Sequence, residues 1–228
     1  MMKPFTTAML LTLWGLLVVT TFWSTELRFF TPVEPPEGAK QVDLATLSQK
    51  PFSTIKTNEG ESPLKGTITL LNFWKPDCKC TRFMERHVRE LVRTYRSRGV
   101  NFVTIVIAES QDDDNSLIQR WQECDIDTPI VIDKQGNLAR EFGVWASPAA
   151  VILDQNGTVA YVGSYNIGRY CSNKRTAYAQ KALDALLEGK TPPQRQTPFF
   201  GCRVPVAQGS SSGEEKTPLT VSKPVLTD

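Results

Sequence analysis

The segment Leu71-Asn72-Phe73-Trp74-Lys75-Pro76-Asp77-Cys78-Lys79-Cys80-Thr81-Arg82 constrains the fold of this 228-residue chain more than any other, because the hydrophobic pattern changes period across it. Gly66 to Trp74 is rich in β-branched and apolar residues and predicts a strand. From Arg82 onward the spacing becomes helical, with Phe83, Val88, Leu91, Val92 and Tyr95 inward, and the helix should end near Arg98-Gly99. Val100 to Ala108 is then an unbroken apolar run, as expected of a strand buried on both faces. Strand, helix and strand in this order give a parallel pair and put two cysteines at a helix N-terminus. Unpaired backbone N–H groups and the helix dipole favour a thiolate there, Lys75, Lys79 and Arg82 add to the effect, and Asp77 opposes it. A thiolate is the reactive form of cysteine, so Cys78 is a candidate redox residue.

Phe73-Trp74, a proline, and a cysteine opening a helix resemble the active-site segment of thioredoxin-fold proteins, most closely the membrane-anchored, extracytoplasmic thiol-disulfide proteins of the TlpA and ResA type. The motif departs from the usual C-x-x-C. Thr81 stands where the second cysteine would be, and the second thiol, Cys80, comes one residue earlier as a C-x-C variant. The resemblance implies a thioredoxin-like mixed sheet flanked by helices. It also puts Pro148, in Trp145-Ala146-Ser147-Pro148, at the place of the family's cis-proline, which would leave the Ser147 backbone free to pair with an extended substrate peptide near Cys78. Trp74 and Trp145 are either core aromatics or part of an apolar rim around the thiol.

The remaining pattern agrees with such a sheet. Asp112 to Asn115 can cap a helix over Ser116 to Glu123, Pro129 to Ile132 reads as a buried strand, and Leu138 to Phe142 as a short helix. Ala149 to Leu153 and Thr158 to Val162 form two strands joined through Asn156-Gly157, a strong hairpin signal, and Arg175 to Leu187 is an amphipathic closing helix. Val42 to Gln49 forms a short helix or turn at the start of the domain.

No residue between Lys3 and Glu26 is charged, and a helix of that length reaches about 33 Å, enough to span a bilayer. A cleaved signal shares the short basic start and apolar core, but no A-x-A-like site follows, which favours an uncleaved anchor. Lys3 directs the amino terminus to the cytoplasm and the domain to the periplasmic side of the inner membrane, as a single-pass protein. The expected organisation is an anchor or signal over 1–25, a stiff proline-rich spacer over 26–40 lifting the domain off the membrane, the thioredoxin-like domain over 41–205, and a disordered tail over 206–228. A net charge of +2 gives no reason to expect nucleic acid; protein thiols or disulfides are the expected partners, besides the membrane.

Three other cysteines and one histidine complete the inventory. In an oxidising compartment Cys171 and Cys202 would form a structural disulfide holding the C-terminal segment down, the alternative being that Cys171 resolves a mixed disulfide at Cys78. Cys124, the odd thiol, should be buried and inert. His87 lies two helical turns from Cys80, about 10 Å along the axis, too far for a shared first coordination shell, so it is expected to be a helix-surface histidine; the main reading calls for no metal and no cofactor. The main expectation is thiol-disulfide exchange through Cys78, with Cys80 or Cys171 resolving. Two alternatives stand beside it: Cu(I) handling by Cys78 and Cys80, and a binding module without turnover. No phosphate loop and no Ser-His-Asp set supports a hydrolase or nucleotide reading.

Overall fold

The structure is a computed structural model that describes residues 4–25, 30–36, 44–168, 173–205 and 219–221. Helix α1 (Pro4–Thr25) is apolar on all sides and fully outside the domain core. Its polar hydroxyls turn back on their own helix: Thr12 donates to the Ala8 carbonyl at 2.6 Å and Thr25 to the Thr21 carbonyl at 2.7 Å. Satisfying hydroxyls in this way is what an apolar surrounding requires. Phe5–Thr25 is long and apolar enough to cross a membrane.

The chain then forms a one-turn helix α2 (Leu44–Leu47) and a hairpin of β1 (Phe52–Thr57) and β2 (Gly60–Pro63). Sequence periodicity missed this hairpin for a physical reason. On the other edge of β1, where it pairs with the late strand β10 (Leu219–Val221), the register shifts between Phe52 and Thr54, and the two buried side chains of β1, Phe52 and Ile55, lie three positions apart, so the period of two never shows.

Five strands make the central sheet: β3 (Thr69–Trp74), β4 (Asn101–Ala108), β5 (Ile130–Lys134), β7 (Ala149–Leu153) and β8 (Val159–Gly163), with the two-residue β6 (Ala146–Ser147) just before β7. Their order is β5-β4-β3-β7-β8, with β3, β4 and β5 parallel and β7 antiparallel to both β3 and β8. Every residue of β3 is buried, the polar Thr69 and Asn72 included. Its side chains alternate between two cores: Leu70 and Trp74 on one face, Leu71 and Phe73 on the other.

Helices α3 (Lys79–Arg96), α4 (Asp114–Gln122) and α6 (Tyr178–Leu187) supply side chains to the first core, and α5 (Asn137–Glu141) to the second. The α4 start is capped by Asp113, whose carboxylate accepts from the Ser116 N–H at 2.9 Å. On α3 the buried set is Cys80, Thr81, Met84, Val88, Leu91, Val92 and Tyr95. Phe83, expected inward, is instead 50% exposed; Met84 lies four residues before Val88 and takes the inward place.

Two expectations about the ends change. Residues 32–36 do not stand off as a spacer: the Val33 N–H donates to the Phe199 carbonyl at 2.8 Å, and Arg203 Nη1 donates to the Glu34 carbonyl at 3.0 Å. The tail is not wholly without structure, since β10 (Leu219–Val221) pairs antiparallel with β1; the rest of 206–228 lies outside the described residues. One further two-residue strand, β9 (Cys202–Arg203), matters most for the site.

Candidate functional site

Cys78 is the N-cap residue of α3, with extended backbone and no side chain accepting a hydrogen bond at the cap. Its residue is fully buried, and Cys80, in the first helical turn, is 2% exposed. The sequence put both where the structure has them, yet they are not bonded to each other. Positions two apart at a helix start do not face one another. Cys78 is instead joined in a disulfide to Cys202, 124 residues away, with Cα atoms 5.8 Å apart, while Cys80 remains a thiol. The expected Cys171–Cys202 bond is therefore replaced by Cys78–Cys202; Cys171 lies outside the described residues.

Cys202 is brought to Cys78 by β9. This strand pairs antiparallel with β6, Ala146 opposite Arg203 and Ser147 opposite Cys202, and the Val204 N–H donates to the Trp145 carbonyl at 3.0 Å. Phe199, 1% exposed, anchors the approach by packing edge-on against Trp145 at 4.5 Å. Gly201 makes the close pass possible: a Cβ at this position would lie 2.1 Å from the Ser147 carbonyl oxygen. The Ser147 backbone, expected to be open to a substrate peptide, is thus occupied by the chain's own segment.

The Ser147–Pro148 peptide bond is cis, as the resemblance implied. The Ser147 carbonyl oxygen lies 3.3 Å from Cys78 Sγ, where a reduced Cys78 thiol can donate to it. Thr81 Oγ1 is 3.2 Å from Ser147 Oγ, and that hydroxyl donates to the Phe73 carbonyl at 3.0 Å, so Thr81 is buried structure at the foot of the site. Trp74 is 4% exposed, donates to Glu85 at 3.1 Å and packs edge-on against Trp121, a core position rather than a rim. Trp145 is half-buried and donates to the Val33 carbonyl at 2.7 Å. The charges around the cysteines are partly paired, Lys75 with Glu109 at 3.3 Å and Asp77 with Arg120 at 3.0 Å.

The other titratable groups are set apart. Burial, reinforced by Glu85, pushes the Cys124 thiol up to about 12. Alkylation of the reduced protein near neutral pH should therefore modify Cys124 last, read by mass spectrometry over time; labelling of Cys124 ahead of Cys78 would contradict this placement. His87 packs edge-on against Tyr165 at 6.0 Å, outside the group of close sulfurs, and burial holds its pKa below the ordinary value of 6.5. The unfolded chain then takes up a proton on this side chain before the folded one does, so stability is full above 6.5 and falls as pH drops below it. A urea unfolding midpoint that declines from pH 7 to pH 5.5 is expected, and a His87→Gln variant should show a flatter profile; parallel profiles would refute the assignment.

A central parallel pair, a cysteine capping the first crossover helix and a cis-proline loop against it define a thioredoxin-like protein of the TlpA/ResA type, with a C-x-C variant at the site. The chain belongs to the family described as Domain of unknown function (DUF6436), whose model matches residues 48–206. It is 26% identical over 132 residues to the thiol-disulfide oxidoreductase ResA of Bacillus thuringiensis subsp. konkukian, covering 58% of this chain and 72% of that protein. The sporulation thiol-disulfide oxidoreductase A of Bacillus subtilis is 25% identical over 125 residues, covering 54% and 76%. ResA of Geobacillus thermodenitrificans matches at 31% over 96 residues, 42% of this chain and about half (53%) of that protein. Among solved structures, an uncharacterized conserved protein from Geobacillus kaustophilus shares the fold with a TM-score of 0.60 at 20% identity, covering 72% of this chain and 92% of that one. A hypothetical protein from Sinorhizobium meliloti 1021 does so with 0.58 at 19%, covering 69% and 92%.

Proposed function

We propose that this protein is an extracytoplasmic thiol-disulfide oxidoreductase in which Cys78 is the exchanging residue and Cys202 the resolving one. The observation that carries the reading is the Cys78–Cys202 bond at the N-terminus of α3, beside the cis-proline loop. In the reduced protein the Cys78 thiolate attacks one sulfur of a client disulfide, and the other client sulfur leaves as a thiolate. The Cys202 thiolate then attacks Cys78 Sγ, which re-forms Cys78–Cys202 and expels the second client thiolate. The client gains two electrons and the protein loses two; the reverse sequence oxidises a dithiol client. A client sulfur that replaces Cys202 on Cys78 also needs the space of β9, so clients compete with this segment for the Ala146–Ser147 backbone.

Trapping tests the order of events. Cys202→Ser should accumulate mixed disulfides on Cys78, resolved on non-reducing gels, and Cys78→Ser should form none. Accumulation in Cys80→Ser, with Cys202→Ser behaving as the unmodified chain, would return the resolving role to Cys80. The location reading rests on α1 and on Lys3 before it: the helix anchors a domain on the periplasmic side of the inner membrane. A reporter enzyme active only outside the cytoplasm, fused after Asp228, should be active, and activity of a cytoplasmic reporter alone would overturn the orientation.

A further inference from the structure

The exchange cycle uses two sulfurs, and a third is packed against them. The Sγ atoms of Cys78, Cys80 and Cys202 all lie within 4.8 Å of one another, and among the described residues no histidine or carboxylate joins the group. They come from the cap of α3, its first turn, and β9, so three backbone supports fix one cluster. Cys78 and Cys80 are buried, and Cys202 is half-buried. We infer that the reduced protein binds one Cu(I) ion through these three thiolates, and that closing the Cys78–Cys202 bond expels it.

The chemistry of the donors selects the ion. An all-thiolate set suits Cu(I) and Zn(II), and structural Zn(II) takes four protein ligands in a tetrahedron. Three sulfurs and no nitrogen or carboxylate oxygen match the lower coordination number of monovalent copper. The spacing is compatible once the bond is open. With metal–sulfur bonds of about 2.3 Å, a planar three-sulfur site has its sulfurs about 4 Å apart; Cys80 Sγ lies within 4.8 Å of both others, and Cys78 and Cys202, bonded to each other here, are free to move apart to that spacing on reduction. Cu(I) with three thiolates carries two negative charges, and the site supplies a counter-field: the 18-residue α3 begins here, with no cap side chain accepting from its first turn.

Binding of the ion does not rest on the exchange reading; only its release does. When a client disulfide takes two electrons from the Cys78 and Cys202 thiolates, those two ligands become a disulfide. The copper, still Cu(I), is left with Cys80 alone and departs unchanged in oxidation state.

The full chain in detergent, chemically reduced under anaerobic conditions, is titrated with Cu(I) against bathocuproine disulfonate. One equivalent should be withdrawn from the chelator, and X-ray absorption should count three sulfur neighbours. The oxidised chain should withdraw none. Cys78→Ser, Cys80→Ser and Cys202→Ser should each weaken retention at least tenfold, while Cys124→Ser and Cys171→Ser leave it unchanged. Two sulfur neighbours in the unmodified chain, full retention by Cys80→Ser, loss of retention in Cys171→Ser, or displacement of the copper by equimolar Zn(II) would each overturn the site. Failure of client exchange with copper binding intact would overturn the exchange reading instead.

Discussion

Reduction of the Cys78–Cys202 bond should lower the unfolding free energy of the domain by up to about 5 kcal/mol, the chain-entropy value for a loop of 124 residues. The bond restricts the unfolded chain far more than the folded one, in which β9 already holds Cys202 against Ser147. A bond from Cys171 to Cys202 would close a loop only a quarter as long, and its contribution would be about 1 kcal/mol smaller. Denaturant titrations of oxidised and reduced protein in detergent, with Cys202→Ser as the reference, measure the difference. The oxidised chain should unfold at clearly higher denaturant, and Cys202→Ser should behave alike with and without reductant. Coincident curves for oxidised and reduced protein would mean that Cys202 is not held at Cys78 in the folded state. The same difference measures function, because by linkage whatever the bond adds to folding, the fold adds to the bond. The effective concentration of one thiol at the other is set by how firmly β9 is docked.

The parts of this molecule that were legible in the sequence share one property: neighbouring residues determine them. Strands buried on both faces leave little polar punctuation, so β4 was found to within one residue and β3 to its last residue, with its start put three residues early. Asp113 caps α4 through a contact three residues away, and Gly157 turns the β7–β8 hairpin at a φ of 77°. Cys78 was recognised because a helix begins immediately after it. What escaped depends on distant partners. Strand β1 hides its period behind an irregularity in its pairing with β10, and β9 is two residues long, too short for any periodic signal, existing only because Ala146–Ser147 and Phe199 receive it. The partner of Cys78 was missed for the same reason, since five cysteines admit several pairings and sequence spacing does not choose among them. Gly201 beside Cys202 was the available clue. A glycine marks a place where backbone passes close to backbone, and the resemblance had already put Pro148 near Cys78.

That glycine gives the second large effect. Gly201→Ala should shift the dithiol-disulfide equilibrium of Cys78 and Cys202 toward the dithiol by roughly tenfold or more. The added Cβ would sit 2.1 Å from the Ser147 carbonyl oxygen and 2.9 Å from its carbon, and both are backbone atoms that no side-chain rotation can move. β9 must therefore lift away from β6 and carry Cys202 with it. Overpacking of this kind costs about 1–3 kcal/mol, and each 1.4 kcal/mol is a factor of ten in the equilibrium, or about 30 mV for a two-electron couple. Backbone conformation alone is controlled by Gly60→Ala, since Gly60 has a comparable φ of 122° but nothing within 4 Å of an added Cβ. That variant should lose some stability and keep the unmodified equilibrium. Equilibration in glutathione buffers, followed by alkylation of free thiols and mass measurement, reads both variants. If Gly201→Ala kept the unmodified equilibrium, β9 docking would not control the couple, and the resolving role of Cys202 would lose its structural basis.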